Sequence, residues 1–176
     1  MKKNNWIYKV FLLTFILSIV FSSISNFIAS NFNNFILLSI TIVVILLGIL
    51  FDMIGVAVIT SKEANFHAMA SKKIKGSKKA ISLIKSSANI SSVCNDVVGD
   101  ICGIISGSLT AVLTLNVAGA FNLDSILLAV LFTGITSTIT VTGKAIMKKA
   151  AMDNSDIIVL NCGKILSLFD KKQKRI

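Results

Sequence analysis

Long apolar blocks alternate with short polar segments along this chain. Four such blocks lie near residues 10–28, 35–60, 93–115 and 125–147, and no proline interrupts any of them. About 20 apolar residues in a helix are enough to cross the hydrocarbon core of a bilayer. The pattern therefore predicts an all-α membrane protein with four transmembrane helices. The first block resembles a signal peptide in its basic start. It exceeds the usual h-region of about 7–15 residues and no A-x-A site follows, so we expect an uncleaved helix.

The basic residues mark one side of the membrane. The chain has 18 Lys and Arg against 8 Asp and Glu, and is 54% hydrophobic with a mean hydropathy of +0.83. Every basic residue precedes the first block or falls within 62–85 or 144–175, whereas the connections near 30–34 and 117–124 hold none. Cytoplasmic loops carry such an excess. We therefore expect a multi-pass protein of the cell membrane with both termini in the cytoplasm. The bilayer, and not nucleic acid, is the expected partner of these charges.

The segment 61–92 has helical periodicity, and Gly76 is expected to separate two short helices within it. Basic amphipathic helices of this kind lie in the membrane interface on the cytoplasmic side. The lysines expected at the membrane surface are Lys72, Lys73, Lys75, Lys78 and Lys79. The tail, 152–176, carries another short amphipathic pattern and a basic end, and we interpret it as a surface helix.

Three acidic residues lie within apolar blocks: Asp52, Asp96 and Asp100. A charge at the centre of a membrane helix costs about 2.5–3.5 kcal/mol on some scales. With Thr140, these acids are expected at similar depth on three helices. Carboxylates, an Asn amide oxygen and hydroxyls suit Mg²⁺ or Ca²⁺, which predicts a cation site open to the cytoplasm. Alternatively, Asp96 and Asp100 are half hydrated at a helix N-terminus, and Asp52 pairs with a lysine such as Lys144.

Small and hydroxyl-bearing residues suggest how the helices pack. Gly99, Gly103 and Gly107 recur every four residues on one helix face, which favours close helix packing or backbone approach to an ion. Most hydroxyls of the fourth block are expected to bond back to the backbone. Cys94 and Cys102 are interpreted as small packing residues, and the cysteines are expected to be reduced, without a structural disulfide. No nucleophile–base pair or catalytic motif is visible, so we do not expect an enzyme.

Four stretches carry a resemblance to a known family: Phe51–Ser61, Ala64–Lys85, Val93–Gly99 and Thr140–Lys144. Over about Leu37–Ala151 the chain resembles the transmembrane domain of the CorC/CNNM (cyclin M) family of magnesium transporters and efflux proteins. The resemblance implies a homodimeric helical bundle with Mg²⁺ in a cytoplasm-facing cavity. Asn95 matches the family's ligand Asn, and Lys144 matches its lysine. Asp52 stands at the family's Ser, while Gly55 and Thr140 stand at its two glutamates.

The resemblance also suggests how the chain is organised. Residues 1–34 form an extra transmembrane helix and a short outer loop, 35–151 the family-like domain including helices 61–92, and 152–176 the tail. The family's nucleotide-binding CBS modules and C-terminal soluble domain find no counterpart in the sequence, so we expect no nucleotide gating.

The expected function is a divalent-cation transporter, with magnesium as the expected ion. Asp52 and Asn95 would bind it, and Asp96, Asp100 and Thr140 would complete or steer to the site. The alternative is a non-transporting regulatory or scaffold membrane protein that retains the fold and has a membrane partner protein. A holin-like lesion-forming protein is a weaker alternative.

Overall fold

The computed structural model describes the backbone of residues 3–173, with side chains undescribed at 3–7, 9, 10, 13, 14, 29, 30 and 169–173. Over the described range the chain is helical and has no strand. Its α-helices are α1 (Lys3–Asn31), α2 (Asn34–Thr60), α3 (Glu63–Ser71), α4 (Ser77–Lys85), α5 (Ser87–Ser92), α6 (Gly99–Phe121), α7 (Ser125–Asp153) and α8 (Ser155–Gln173). A π-helix, Val93–Val98, joins α5 to α6.

Among the residues that the structure describes, three helices are long and apolar enough to cross a membrane: Asn34–Thr60, the continuous run Ser87–Phe121, and Ser125–Asp153. They contain the second, third and fourth apolar blocks, and the length and apolar content of these helices are those of membrane spans in an all-helical chain. The first block lies within α1, where the apolar helix among the described residues is the shorter Phe15–Ile28. The predicted count of four spans is therefore not confirmed.

The chain divides into two compact units. Unit 1 comprises the residues up to Gly48 together with Val97–Thr142. Within it α1 packs against α6, and its core contains Leu37 and Leu109, both fully buried. The buried hydroxyls of this unit donate to their own helices, as Thr110 does to the carbonyl oxygen of Ser106 at 2.7 Å. Thr133 and Thr140 of the fourth block do the same, which confirms the expected backbone bonding for these two.

Unit 2 comprises Ile49–Asp96 together with the residues from Gly143 onward. Helix α4 packs against α3 and α8. The core residues of this unit come from five helices: Ala57, Val58, Phe66, Ala80, Ala151 and Val159. As predicted, two short helices flank Gly76, which has a φ of 91°, a value that favours glycine.

Helix α8 is docked on the basic segment. A Cβ built at Gly163 would lie 2.5 Å from the carbonyl oxygen of Gly76, so the two backbones are in close contact. At the start of α8, Asp156 accepts a hydrogen bond of 2.6 Å from the side chain of Asn65. The predicted surface helix thus packs on the same chain through one face. Its basic end falls largely outside the described side chains.

Candidate functional site

Unit 2 contains a buried carboxylate that faces two lysines. The side chain of Asp52 on α2 is 5% exposed. Its Oδ1 lies 3.9 Å from Nζ of Lys144, and its Oδ2 lies 3.4 Å from Nζ of Lys148. The lysines are four residues apart on α7 and therefore share a face. The pairing with Lys144 that the sequence offered as an alternative is confirmed, and the second lysine was not anticipated.

Close helix approach at a glycine explains why these charges meet. A Cβ built at Gly143 would lie 2.5 Å from Cδ1 of Ile49, so side-chain volume on α7 is absent where it meets α2. Ile49 is three residues before Asp52, and Gly143 directly precedes Lys144. The contact therefore brings the lysine-bearing face of α7 to the level of the carboxylate.

The side chain of Asn95 is seated against a second glycine of α2. Its Nδ2 donates to Oγ of Ser91 at 3.2 Å. Its Oδ1 points at Gly55, where a built Cβ would overlap that oxygen and lie 2.9 Å from Cγ. Asn95 belongs to the π-helix, a distortion that is frequent at functional sites. The amide of Asn95 thus occupies the space that a side chain at position 55 would fill.

Three buried side-chain oxygens among the described residues have no hydrogen-bond donor: Asp52 Oδ2, Ser61 Oγ and Asn95 Oδ1. Two of them belong to the residues predicted to bind the ion. Asp52 lies one helical turn before Gly55, against which Asn95 packs. Oδ2 of Asp52 and Oδ1 of Asn95 therefore lie along the same stretch of α2. Lys148 is close enough to Asp52 for an ion pair at 3.4 Å, but no hydrogen bond forms there. Leaving a buried acceptor unsatisfied costs about 1–3 kcal/mol, so these oxygens favour a donor or a cation.

The other two acids are exposed. Asp96, in unit 2, accepts a hydrogen bond of 2.7 Å from Oγ of Ser92. Asp100 belongs to unit 1 and lies in the first turn of α6. The π-helix makes Ser87–Phe121 continuous, so neither acid caps a free helix N-terminus.

Thr140 also belongs to unit 1. Its hydroxyl donates to the carbonyl oxygen of Thr136 at 2.8 Å. It lines a groove of about 210 Å³ between α6 and α7, together with Gly103, Ser106, Gly107, Thr136, Ser137 and Val141. The groove therefore joins Thr140 to two of the three glycines singled out from the sequence.

Of the three glycines on one face of α6, two have no neighbouring atoms where a side chain would stand. Gly99 is buried, whereas a Cβ built at Gly103 or Gly107 would meet no atom within 4 Å. Within unit 1 the chain approaches closely at Gly48, where a built Cβ would lie 2.9 Å from Cβ of Cys102. The close contact at Gly48 thus lies outside the set of three glycines that the sequence singled out.

The predicted membrane-surface lysines lie between the end of α3 and the first turn of α4. Lys72, Lys73, Lys75 and Lys78 are exposed, and Lys79 is half-buried. Nearby, Glu63 contacts His67 at 2.9 Å and Lys85 at 3.8 Å. The lone histidine is thus exposed beside a carboxylate on the same helix.

No disulfide joins Cys94, Cys102 and Cys162 in the part of the chain that the structure describes. Burial raises the pKa of the Cys162 thiol above its ordinary value, and the neighbouring Cys94 adds to that rise. A raised pKa keeps a thiol protonated and unreactive near neutral pH. Cys162 therefore behaves as a packing residue of α8.

No group of three or more His, Cys, Asp or Glu side chains lies close enough to hold a metal ion within residues that the structure describes. A cation bound at Asp52 would therefore meet fewer than three such side chains, and neutral oxygens or water would complete its coordination. Comparison with protein-family models, curated proteins and solved structures finds no match to this chain.

Proposed function

We propose that this chain binds a divalent cation at Asp52 and Asn95 and moves it across the membrane. The observation that supports this most is that both residues hold a buried oxygen atom without a donor, at the same stretch of α2. Mg²⁺ commonly keeps several waters and binds proteins through one or two carboxylates. One carboxylate and one amide oxygen are therefore a sufficient set for a hydrated ion.

The transport mechanism in this proposal is alternating exposure of the site formed by Asp52 and Asn95, without catalysis. Asp52 neutralises part of the ion's charge, and Asn95 accepts a hydrogen bond from its water shell or contacts the ion directly. Asp96 is exposed and would steer ions toward the site. The resemblance to the CorC/CNNM family supports magnesium as the ion and a homodimer as the assembly.

Ion flux into vesicles tests this proposal. In proteoliposomes we expect Asp52→Ala and Asn95→Ala each to lower Mg²⁺ flux at least about tenfold, because an effect of about 1.4 kcal/mol on the rate-limiting state corresponds to that factor. Asp153→Ala, at an exposed acid of α7, is the matched control and should carry flux like the wild type. If all four proteins behave alike over a range of Mg²⁺ concentrations, Asp52 and Asn95 do not form the ion site.

A second candidate is a non-transporting scaffold or regulatory membrane protein. It is favoured by the two lysines that already neutralise Asp52. On this hypothesis the ion pairs hold α2 and α7 together and no ion is bound. Absence of Mg²⁺ flux and Mg²⁺ binding in the wild type, together with a stoichiometric membrane partner after mild solubilisation, would favour it over transport.

The orientation in this proposal places the lysine-rich segments in the cytoplasm. In a protein without its three cysteines, a cysteine replacing Lys72 should resist a membrane-impermeant maleimide in intact cells. A cysteine replacing Asp124, in the connection between α6 and α7, should be labelled. Both should react after permeabilisation, which controls for local accessibility. Labelling of the Lys72 position in intact cells would reverse the orientation.

A further inference from the structure

The cation-site proposal leaves the two lysines beside Asp52 without a role. Nζ of Lys144 lies nearest Oδ1 and Nζ of Lys148 lies nearest Oδ2, so each carboxylate oxygen faces its own ammonium group. Both lysines come from α7, whereas the carboxylate comes from α2. The pair of ammonium groups therefore stands where an arriving cation would have to bind.

These charges close the site to a free cation. Asp52 contributes one negative charge, and the two lysines contribute two positive charges at 3.4–3.9 Å from it. Like charges repel at such distances, and the repulsion is strongest close to the carboxylate, where the side chain of Asp52 is only 5% exposed. An ion can reach the oxygens of Asp52 only after the ammonium groups have moved away.

The side chains of Lys144 and Lys148 have room to move toward water. Their side chains are 27% and 48% exposed, while that of Asp52 is 5% exposed. A lysine carries its charge on a flexible four-carbon stem and can direct it outward while the stem stays packed. No hydrogen bond fixes Lys148 to Oδ2 of Asp52, so charge alone holds it there.

We propose that Lys144 and Lys148 are tethered cations that occupy the Asp52 site and select for a divalent ion by competing with it. This inference rests on the proposed cation site. Departure of both ammonium groups removes two positive charges, and one divalent ion restores them. A monovalent ion restores only one of the two positive charges that had faced the carboxylate. The lysines thus set both the apparent affinity and the preference for charge.

Cation-dependent thermal stability of the purified full chain tests this. MgCl₂, CaCl₂ and NaCl are the probes, with ionic strength held constant by choline chloride. In Lys144→Met/Lys148→Met we expect the Mg²⁺ concentration at half-maximal stabilisation to fall at least about tenfold below that of the wild type. The single variant Lys148→Met, which keeps one counter-charge, should show a fall of roughly threefold, with some gain in Na⁺ response. These factors follow from removing part of a competing charge interaction.

Matched variants separate this effect from general changes in charge. Lys149→Met removes an exposed lysine of the same helix and should leave the Mg²⁺ response at the wild-type value. Adding Asp52→Asn to the double-lysine variant should abolish its Mg²⁺ response. If the double variant does not fold, the Mg²⁺ midpoints of Lys148→Met and Lys149→Met are compared instead.

The outcomes distinguish this inference from the proposed function. Equal Mg²⁺ midpoints in the wild type and the lysine variants, with Asp52-dependent flux intact, overturn the competition and leave transport standing. A tighter, Asp52-dependent Mg²⁺ response in the lysine variants supports the competition even if the wild type carries no flux, since the site would then be closed permanently. No Mg²⁺ response and no flux in any variant would overturn both.

Discussion

Replacing Lys144 and Lys148 together by methionine is expected to lower the free energy of unfolding by about 3–5 kcal/mol. The double replacement leaves the carboxylate of Asp52, whose side chain is only 5% exposed, without either of the two lysines that face it. Removing one side of a buried ion pair is strongly destabilising because the remaining charge stays out of water. Unfolding in mixed micelles of a mild detergent and dodecyl sulfate measures the loss in the absence of divalent ions.

The reverse change should cost much less. Asp52→Asn removes the acid and leaves two lysines that are 27% and 48% exposed. They can extend toward water along their stems, so we expect a loss of about 1 kcal/mol, near the value of an exposed ion pair. Combining Asp52→Asn with both lysine replacements should recover most of the 3–5 kcal/mol lost by the lysine replacements alone, because an apolar replacement of a whole ion pair is often neutral.

Lys149→Met is the control for the loss of a lysine from α7, and it should change the stability by less than about 0.5 kcal/mol. The ion pairs would have to be reassessed if Asp52→Asn proved as costly as the double-lysine replacement. They would also be in question if the triple variant were no more stable than the double.

The helices were readable from the sequence because membrane spans depend on length and apolar content, and both are local properties. The second, third and fourth blocks lie in α2, the run Ser87–Phe121, and α7. Gly76 could be identified as a break because it is the single glycine within the basic segment 61–92. The extent of α8 and its docking on α4 depend on Gly163 meeting Gly76, a contact between distant residues that no local pattern encodes.

The candidate site was only partly readable for a related reason. An intramembrane acid signals a functional position, and that argument led to Asp52. It could not tell that α7 approaches α2 at Gly143 and so brings two lysines to that acid. The spacing of Lys144 and Lys148 was visible in the sequence, but the direction in which their shared face points was not.

The π-helix is the other feature that a regular pattern misses. Asp96 and Asp100 would share a face in an unbroken α-helix, but Asp96 lies within the π-helix and Asp100 lies beyond it. A π-turn inserts an i→i+5 hydrogen-bond pattern and so changes which residues face together. Both acids are exposed, and Asn95, their neighbour in sequence, holds the oxygen that is directed at α2.

Gly55→Ala is expected to lower the free energy of unfolding by about 1–3 kcal/mol, as overpacking of a filled site does. The new Cβ would overlap Oδ1 of Asn95 and lie 2.9 Å from its Cγ and 3.2 Å from its Nδ2. The amide must turn away, which strains its hydrogen bond to Ser91 and moves its oxygen from the site. On the proposed function, Mg²⁺ flux should fall together with stability.

Two companion variants show whether the effect comes from this contact. Gly103→Ala makes the same change on α6, where no atom lies within 4 Å of the new Cβ, and should gain up to about 1 kcal/mol from helix propensity. Asn95→Ala removes the obstructing amide, so Gly55→Ala should cost less in that background. The difference is the coupling energy of the two residues, which we expect to exceed about 1 kcal/mol. Additive losses in the double variant would mean that the side chain of Asn95 does not pack against Gly55. The oxygens of Asp52 and Asn95 would then have no common location on α2 on which a cation site could depend.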